Sequence, residues 1–356
     1  MNKHVKKFIF TSVITTVVAL IVSGVAWGVY AMITSLSTPP TIPAQVVITR
    51  QGYSGGLTPA DGTSDGTADG VTVPSDGDSQ KIGVMDRKEL FYTFLLFGID
   101  NSNNADVIIV GAVDIPSHDV FLVSVPRDTL VDVPRRLRKP VGAYSAGRVG
   151  GGGHEGGVEQ MYSDVQSLFG FRPDFYISVQ TQAFVRIVDA VGGVKVNVPF
   201  PMRYDDPFDN LHINIPAGEQ TLSGEKALHF ARYRQANEGY RAVTDYERIK
   251  NQQQILRSIF DELLTPQTIT RVPELINIYA DHVRTNMELA EMLWFAGQLS
   301  DLREGTFSAY TIPTGETIRA GWYEVVDAEA LLELINSTVN PFEQEITMDM
   351  VRIINE

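Results

Sequence analysis

Three short apolar runs decide the fold of this chain: FYTFLLFGID (residues 91–100), DVIIVGAVDI (106–115) and VFLVSVP (120–126). All three are rich in β-branched and aromatic residues, and each is too short for a typical helix, so they are predicted to be strands. None of them alternates strictly between apolar and polar residues. Both faces of these strands are therefore expected to be covered, as in the centre of a layered sheet.

The sequence that follows alternates between helix and strand patterns. In residues 245–264, for example, apolar side chains recur on one helical face, and Pro266 lies just beyond the end. Further helices are predicted over residues 158–170, 183–193, 222–234, 272–304 and 327–337, and strands over 174–180 and 194–199 and within 306–318 and 322–326. This alternation predicts an α/β domain with helices layered on a sheet.

The N-terminus carries a long apolar segment. Residues 8–33 (FIFTSVITTVVALIVSGVAWGVYAMI) contain no charged side chain, and Lys3, Lys6 and Lys7 precede them. A helix needs about 20 apolar residues to cross a bilayer core, whereas the apolar part of a cleaved signal peptide is about 7–15 residues long. We therefore predict an uncleaved, single-pass signal anchor, with residues 1–7 in the cytoplasm because of their lysines and the rest of the chain outside the cell membrane.

Residues 34–87 have the composition of a linker. Their central part, residues 54–80, contains five aspartates but no Lys or Arg. The tandem DGTS, DGTA and DGVT from Asp61 suggest a calcium-binding repeat, but their spacing matches no calcium-binding loop. A flexible acidic spacer between the membrane and the globular part is the simpler interpretation.

The overall composition excludes several classes of protein. The 356 residues carry a formal net charge of −14, which disfavours binding to nucleic acid. There is no cysteine, so disulfides, zinc fingers and thiol catalysis are excluded. An apolar content of 44% is typical of a globular protein with a core.

Two carboxylates flank the loop between the first two predicted strands. Asp100 ends one apolar run and Asp106 begins the next. Ligands bind at strand ends in open α/β sheets, and Mg²⁺ accepts a few carboxylate oxygens together with substrate phosphates. The pair is therefore a candidate metal site. The alternative is that both are ordinary turn residues.

A reversal of charge follows the third predicted strand. Arg127 comes directly after that strand, with Asp128 beside it, and residues 135–139 form a basic run in an otherwise acidic chain. A buried strand fixes the position of Arg127, so its side chain is expected at the end of the sheet, facing the Asp100/Asp106 loop. Asp128 is expected to orient its neighbours or to cap the turn.

Two further arginines and one helix face complete the set of candidates. Arg232 and Arg234 point the same way if the chain is extended between them. Asp245, Arg248 and Gln252 share one face of the long predicted helix. Planar guanidinium groups bind phosphate oxygens through two hydrogen bonds, whereas exposed salt bridges contribute little. Four arginines at the ends of elements therefore favour an anion site.

Eight motifs occur in a characteristic order behind the apolar N-terminus. They are LLFGID (95–100), the Asp-led strand from 106, SVPRDT (124–129), KPVGAY (139–144), DAVGGVKVNVP (189–199), YDDP (204–207), GEQTLSGEKALHFARYR (218–234) and DYERIKNQQQ (245–254). Together they resemble the LytR–CpsA–Psr cell-envelope proteins, strongly over residues 90–264 and more loosely beyond.

The resemblance implies a fold and an activity. The family fold is a three-layer α/β/α sandwich with a central mixed sheet and an apolar groove for a lipid tail. Here it implies a catalytic core at residues 88–264 and a C-terminal α/β part at 265–356. Family members transfer a glycopolymer (teichoic acid, capsule or another secondary wall polysaccharide) from a polyprenyl-pyrophosphate carrier to peptidoglycan, forming a phosphodiester bond. The resemblance thus implies a membrane-anchored phosphotransferase of a Gram-positive-type envelope.

The matching motif positions also imply roles for individual residues. Asp100 and Asp106 are expected to hold Mg²⁺, with Mn²⁺ as the alternative, and to act in catalysis together with Arg127. The residues expected to bind the pyrophosphate substrate are Arg127, Lys139, Arg232, Arg234, Asp245, Arg248 and Gln252. No general base is identified, although either metal-binding carboxylate has the chemistry for it.

One departure from the family pattern lies in the loop before the second aspartate. The family usually has an arginine two residues before that aspartate, where this chain has Asn104. Part of the phosphate contact would then fall to Arg135, Arg136 or Arg138. The departure leaves open a non-catalytic binder or a pyrophosphatase of the same lipid-linked polymer. A transcriptional attenuator is disfavoured, because only about seven residues would face the cytoplasm.

Overall fold

The chain divides into two compact units in a computed structural model. One unit is Met1–Thr41 with Met287–Leu299, and the other is Ile42–Asn286 with Ser300–Glu356. The structure describes residues 38–50, 58–59, 80–100, 102–133, 135, 138–206, 211–263, 265, 283–319 and 323–354. The larger unit contains the sheets and the candidate site.

The elements of the described residues include the predicted strands, together with further strands at 45–50, 58–59, 80–86, 202–206, 211–215, 218–222 and 283–285 that were not predicted. The strands are β1 (Gln45–Arg50), β2 (Thr58–Pro59), β3 (Gln80–Asp86), β4 (Phe91–Ile99), β5 (Ala105–Asp114), β6 (Asp119–Ser124), β7 (Phe175–Gln180), β8 (Val194–Val198), β9 (Met202–Asp206), β10 (Leu211–Ile215), β11 (Gly218–Leu222), β12 (Val283–Thr285), β13 (Phe307–Thr311), β14 (Thr314–Arg319) and β15 (Tyr323–Val326). The α-helices are α1 (Ala143–Gly147), α2 (Gly153–Phe169), α3 (Thr181–Ala190), α4 (Gly224–Arg232), α5 (Asp245–Leu263), α6 (Leu289–Leu302) and α7 (Ala328–Thr338).

The three apolar runs form adjacent strands of a six-stranded sheet in the order β12-β7-β4-β5-β6-β13. β5 is antiparallel to both β4 and β6. β7 is parallel to β4, and β13 is parallel to β6. The prediction of an α/β domain with a central mixed sheet is therefore confirmed.

One face of this sheet carries the main hydrophobic core. The side chains of Leu95 and Phe97 in β4 are fully buried, and they belong to one cluster with Met161 of α2 and Leu331 of α7. Leu96, which lies between the two buried residues and points to the opposite face, is only half-buried among the described residues. The two faces of β4 thus differ, although its sequence is apolar throughout.

A second core holds the elements that carry the later candidate residues. It joins α3, α4 and α5 to the strand pairs β8–β11 and β9–β10. Gly224 begins α4 so close to α3 that a Cβ atom there would lie 2.1 Å from the carbonyl oxygen of Val185. Phe230 and Tyr233, at the end of α4, are fully buried.

Two parts of the chain differ from their predicted conformations. The predicted linker of residues 34–87 contains β1 and β3, which pair antiparallel and place Val46 and Met85 in the main core. The acidic composition of the intervening residues, of which 51–57 and 60–79 lie outside the described residues, obscured these two short strands. The predicted helix over residues 272–304 was wrong at 283–285, where β12 pairs with β7 and forms the edge of the six-stranded sheet.

The described residues include no helix that is long and apolar enough to cross a membrane. The predicted signal anchor, residues 8–33, lies outside them.

Candidate functional site

Asp106 and Arg127 meet at one end of the central sheet. Because β5 and β6 are antiparallel, the start of β5 lies beside the end of β6, where the backbone N–H of Val125 donates to the carbonyl oxygen of Ile108 at 2.8 Å. Arg127 follows, and its Nη1 donates to Asp106 Oδ1 at 2.9 Å. The ends of two strands therefore hold a cation and a carboxylate together.

The turn after β6 brings a second cation to the same place. Lys139 Nζ donates to Asp128 Oδ1 at 2.9 Å, and Arg127 Nε lies 3.6 Å from Asp128 Oδ2. The backbone N–H of Val141 donates to the carbonyl oxygen of Arg127 at 3.2 Å, which ties the two loop segments together. Asp128 thus orients two basic side chains.

The first turns of α5 supply the next group of polar side chains. Asp245 Oδ1 lies 3.4 Å from Arg248 Nη2 and 3.7 Å from Arg234 Nε. Gln252 Nε2 donates to the carbonyl oxygen of Ala231 at 3.3 Å, and so connects α5 to the end of α4. The helical spacing that predicted a shared face for these residues of α5 brings them to one cavity.

That cavity lies between the sheet and α5. Its polar lining includes Asp106, Arg127, Asp245, Arg248 and Gln252. The Nε atoms of Arg127 and Arg248 are buried and have no hydrogen-bond partner among the described residues. A buried donor without a partner loses its hydration without compensation. Two arginines that line the cavity therefore keep hydrogen-bonding capacity that the described residues do not use.

Burial and neighbouring charges act differently on the two arginines. Burial lowers the pKa of Arg248, and the positive charges of Arg127 and Arg234 add to this effect against the attraction of Asp245. Burial acts in the same sense at Arg127, but the hydrogen bond and charge of Asp106 outweigh it and raise the pKa of Arg127. Arg248 is thus the less neutralised of the two cations, which favours an added negative charge nearby.

The sequence of this chain matches the model of a known family. The model of the LytR_cpsA_psr family matches residues 63–340. The chain belongs to this family. The resemblance seen in the eight motifs is thereby confirmed over more than half of the sequence.

Relatives within the family show the same relationship. The polyisoprenyl-teichoic acid–peptidoglycan teichoic acid transferase TagU of Oceanobacillus iheyensis is 28% identical over 277 residues, covering 76% of this chain and 82% of TagU. The cell wall biosynthesis protein LcpA of Corynebacterium glutamicum is 29% identical, covering 79% of this chain but only 56% of LcpA. The solved structure of TagT bound to LIIa-WTA has a TM-score of 0.56 and 20% identity, covering 72% of this chain and 92% of that chain, which shows a shared fold.

Asp100, the first carboxylate of the family pattern, is held within the β4–β5 loop. Its Oδ1 accepts the backbone N–H groups of Ser102 and Asn104 at 2.8 and 2.7 Å, and its Oδ2 accepts Asn104 Nδ2 at 3.1 Å. Asn104, where the family usually has an arginine, thus braces the loop. These bonds leave lone pairs on Oδ2, so a turn role and a ligand role are compatible. Asp100 does not line the cavity.

Arg232 and Arg234 do not act as a matched pair. α4 continues to Arg232, and Tyr233 then turns inward, where its hydroxyl donates to the carbonyl oxygen of Arg241 at 2.9 Å. Arg234 reaches Asp245, whereas Arg232 is exposed and forms no ion pair among the described residues. The two arginines therefore differ in their partners, and the helix α4 ends between them.

The basic run after β6 has a structural role in part. Arg135 is bonded to both carboxylate oxygens of Asp164, which is fully buried in α2, and it also donates to the carbonyl oxygen of Lys139 at 2.8 Å. These bonds occupy Arg135, so that of the three alternatives Arg135, Arg136 and Arg138 this one is engaged within the protein. Arg138 is exposed, and Arg136 lies outside the described residues.

β15 adds a residue that the sequence did not single out. The backbone N–H of Glu324 donates to the carbonyl oxygen of Asp128 at 3.0 Å, and that of Leu130 donates to the carbonyl oxygen of Glu324 at 2.8 Å. Lys139 Nζ lies 5.0 Å from the ring centroid of Tyr323, the preceding residue. The only signal in the sequence is a single carboxylate in the short apolar run YEVV.

Proposed function

We propose that this protein transfers a cell-wall glycopolymer (teichoic acid, capsule or another secondary wall polysaccharide) from a polyprenyl-pyrophosphate carrier to peptidoglycan. The observation that carries the proposal is the cavity lined by Arg127 and Arg248, two arginines whose buried Nε donors have no hydrogen-bond partner among the described residues. Pyrophosphate oxygens are the acceptors that such guanidinium groups bind best. The name of the relative TagU and the bound state of TagT support the same substrate class.

The chemistry of this transfer suits a site without a reactive nucleophile. Phosphoryl transfer depends on positioning and on neutralising charge, and fixed cations in a site that excludes water do both. Arg127 and Arg248 would hold the pyrophosphate, while Asp106 and Asp245 keep the two guanidinium groups oriented before substrate binds. The arginines would then stabilise the negative charge that develops on the departing lipid phosphate.

A divalent cation, Mg²⁺ or alternatively Mn²⁺, forms part of this proposal. The hydrogen bond of Asp106 to Arg127 uses only Oδ1, and Asp100 keeps lone pairs on Oδ2. Mg²⁺ is commonly held by one or two carboxylates together with substrate phosphates, and Asp106 at the cavity, with Asp100 on the adjoining loop, offers carboxylate oxygens of that kind. Within the described residues no cluster of three or more His, Cys, Asp or Glu could hold an ion alone. When bound, the ion would supply further charge neutralisation at the phosphate oxygens.

The polyprenyl tail requires an apolar surface next to the pyrophosphate. Ile109 lines the cavity, and its strand neighbours on that face of the sheet include the half-buried Leu96 and Leu122. We extend the proposal to this face as the path of the lipid. The predicted N-terminal anchor would hold the domain at the outer side of the membrane, where carrier and peptidoglycan are both accessible.

The test is covalent attachment of polymer to peptidoglycan by the full chain purified in detergent. Arg127→Ala is expected to lower the rate of attachment at least about 100-fold, as loss of an electrostatic donor does in other sites. Its free energy of unfolding should change by no more than about 1 kcal/mol, because the pair with Asp106 is partly exposed. Arg257→Ala is the matched control, since Arg257 on α5 pairs with Asp261 and does not line the cavity.

Three results would contradict the proposal. If Arg127→Ala attaches polymer at the unsubstituted rate, the cavity at Arg127 is not the site of transfer. Retention of lipid-linked polymer without a covalent product would indicate a binding protein. Release of polymer phosphate into water at the same rate with and without peptidoglycan would indicate a pyrophosphatase.

A further inference from the structure

The carboxylates around the cavity are neutralised by nearby cations. Asp106 is bonded to Arg127 at 2.9 Å, Asp128 is bonded to Lys139 at 2.9 Å, and Asp245 lies within 4 Å of two arginines. Each of these three carboxylates is therefore engaged by at least one basic side chain.

Glu324 differs from these three residues. Two backbone hydrogen bonds hold it beside the Asp128–Leu130 turn, as described above, so its position relative to the site is fixed by strand pairing. Its carboxylate forms no hydrogen bond or ion pair among the described residues, although the residue is half-buried. A carboxylate in this state retains its basicity and its lone pairs.

The surroundings of Glu324 raise its pKa. Burial raises the pKa of Glu324, and the carboxylates of Asp245 on α5 and Asp128 on the turn add to the effect. Arg248 on α5 and Lys139 on the following loop act in the opposite direction, but they do not reverse it. A general base is most effective when its pKa lies near the working pH.

We propose that Glu324 is the general base that accepts the proton of the attacking peptidoglycan hydroxyl, an inference that rests on the transfer reaction proposed above. The hydroxyl oxygen forms a bond to the polymer-side phosphorus as its proton moves to the Glu324 carboxylate. The bond from that phosphorus to the oxygen of the lipid phosphate breaks, and lipid monophosphate leaves with the electron pair. The protonated Glu324 then releases its proton to solvent.

The test compares Glu324→Gln with Glu329→Gln in the full chain. Glu329 lies five residues further on, is exposed on α7, and undergoes the same change of charge. Glu324→Gln is expected to lower kcat at least about 100-fold, as loss of a general base does. Its dissociation constant for polyprenyl pyrophosphate should stay within about twofold, because a base for the acceptor is not a donor to the phosphates. Glu329→Gln should match the unsubstituted chain in both measurements.

The pH dependence gives a second and independent readout. A base must be unprotonated, so kcat/KM of the unsubstituted chain should fall as the pH drops through the raised pKa of Glu324. Glu324→Asp should keep this acidic limb at reduced kcat, and Glu324→Gln should lose it. An unsubstituted chain without an acidic limb overturns the proposal even if Glu324→Gln does not fold.

The remaining outcomes separate this proposal from the function on which it rests. If Glu324→Gln keeps the kcat and pH profile of the unsubstituted chain, Glu324 is not the base and the transferase assignment stands. If polyprenyl pyrophosphate binding weakens as much as kcat falls, Glu324 is a positioning residue and the proposal is also wrong. If the unsubstituted chain attaches no polymer, the proposed function fails and the role of Glu324 fails with it.

Discussion

Two Arg–Asp pairs, both formed by the chain that leaves β6, differ in how fully their hydrogen-bonding capacity is used. Arg135 is bonded to both oxygens of Asp164 and to a backbone carbonyl oxygen. Arg127 makes one hydrogen bond to Asp106 and keeps a buried Nε without a partner among the described residues. The first pair can only hold α2 against the loop, whereas the second keeps donors for a ligand.

The carboxylates of the two pairs also differ in burial. The side chain of Asp164 is 0% exposed and that of Asp106 is 36% exposed. Loss of one partner from a buried pair leaves an unpaired charge in the interior, whereas a partly exposed pair contributes little to stability. Changes at the first pair should therefore act on stability, and changes around the second on binding and rate.

The largest effect is expected at the buried pair. Asp164→Ala should lower the free energy of unfolding by about 3–5 kcal/mol, because Arg135 loses its partner in the interior. Asp106→Ala, the same substitution in the other pair, should lower it by no more than about 1 kcal/mol. Urea unfolding of the full chain, followed by circular dichroism, measures both. Equal losses in the two variants would remove the distinction between the pairs.

The second-largest effect is expected on the rate of transfer when the guanidinium group of Arg248 is replaced by an ammonium group. Arg248→Lys keeps the charge but loses the planar fork, so kcat/KM for transfer should fall about 10- to 100-fold, or about 1.4–2.7 kcal/mol. Arg257→Lys on the exposed part of the same helix should leave the rate unchanged. Steady-state kinetics at constant salt make the comparison. A fully active Arg248→Lys would mean that the site needs only a point charge.

A smaller gain is expected in the loop that departs from the family pattern. Asn104→Arg adds a charged donor near Asp100 and should tighten binding of polyprenyl pyrophosphate several-fold, corresponding to about 1 kcal/mol. Ser102→Arg places the same charge on an exposed position of this loop and controls for general attraction. Equilibrium binding at several salt concentrations distinguishes them. If both variants gain the same affinity for polyprenyl pyrophosphate, the added charge alone explains the gain. If Asn104→Arg binds more weakly than the unsubstituted chain, the hydrogen bonds of Asn104 to Asp100 contribute more than an added arginine.

The smallest effect is a pH dependence of stability from a histidine on α2. The hydroxyls of Tyr144 and Tyr176 lie 2.8 and 3.2 Å from the two ring nitrogens of His154, and burial lowers the pKa of His154. Below about pH 6.5 the unfolded chain therefore binds a proton that the folded chain resists, so stability is lost as the pH falls. His154→Gln should remove this share of the loss and leave transfer at neutral pH unchanged. If the free energy of unfolding depends on pH in the same way in the unsubstituted chain and in His154→Gln, this prediction is wrong.

Local patterns predicted the parts of the site that depend on one or two elements. Arg127 lies at the end of β6 because a buried strand fixes the residue that follows it. Asp245, Arg248 and Gln252 line one cavity because helical periodicity places them on one face. Arg232 could not be assigned in this way, because its direction depends on where α4 ends.

Pairings between distant segments were not predictable in the same way. Arg135 looked equivalent to its basic neighbours until α2 supplied a buried Asp164 at 29 residues' distance. Glu324 belongs to none of the eight motifs. It lies beside the site because β15 pairs with the turn after β6. The partners of β1, β3 and β12 likewise come from other parts of the sheets.

The sequence by itself determined the α/β class, the strands and helices of the central part of the chain, the family and several of the cations of the site, because periodicity and turn chemistry act over a few neighbouring residues. The tertiary structure decided, among the described residues, which arginines keep a buried donor without a hydrogen-bond partner and which do not, and that the carboxylate of Glu324 forms no ion pair. Those properties depend on burial and on partners that lie far apart in the chain, and the energy of a charge depends on both. Arg127 and Arg135 are both arginines of one loop, and only packing distinguishes their roles.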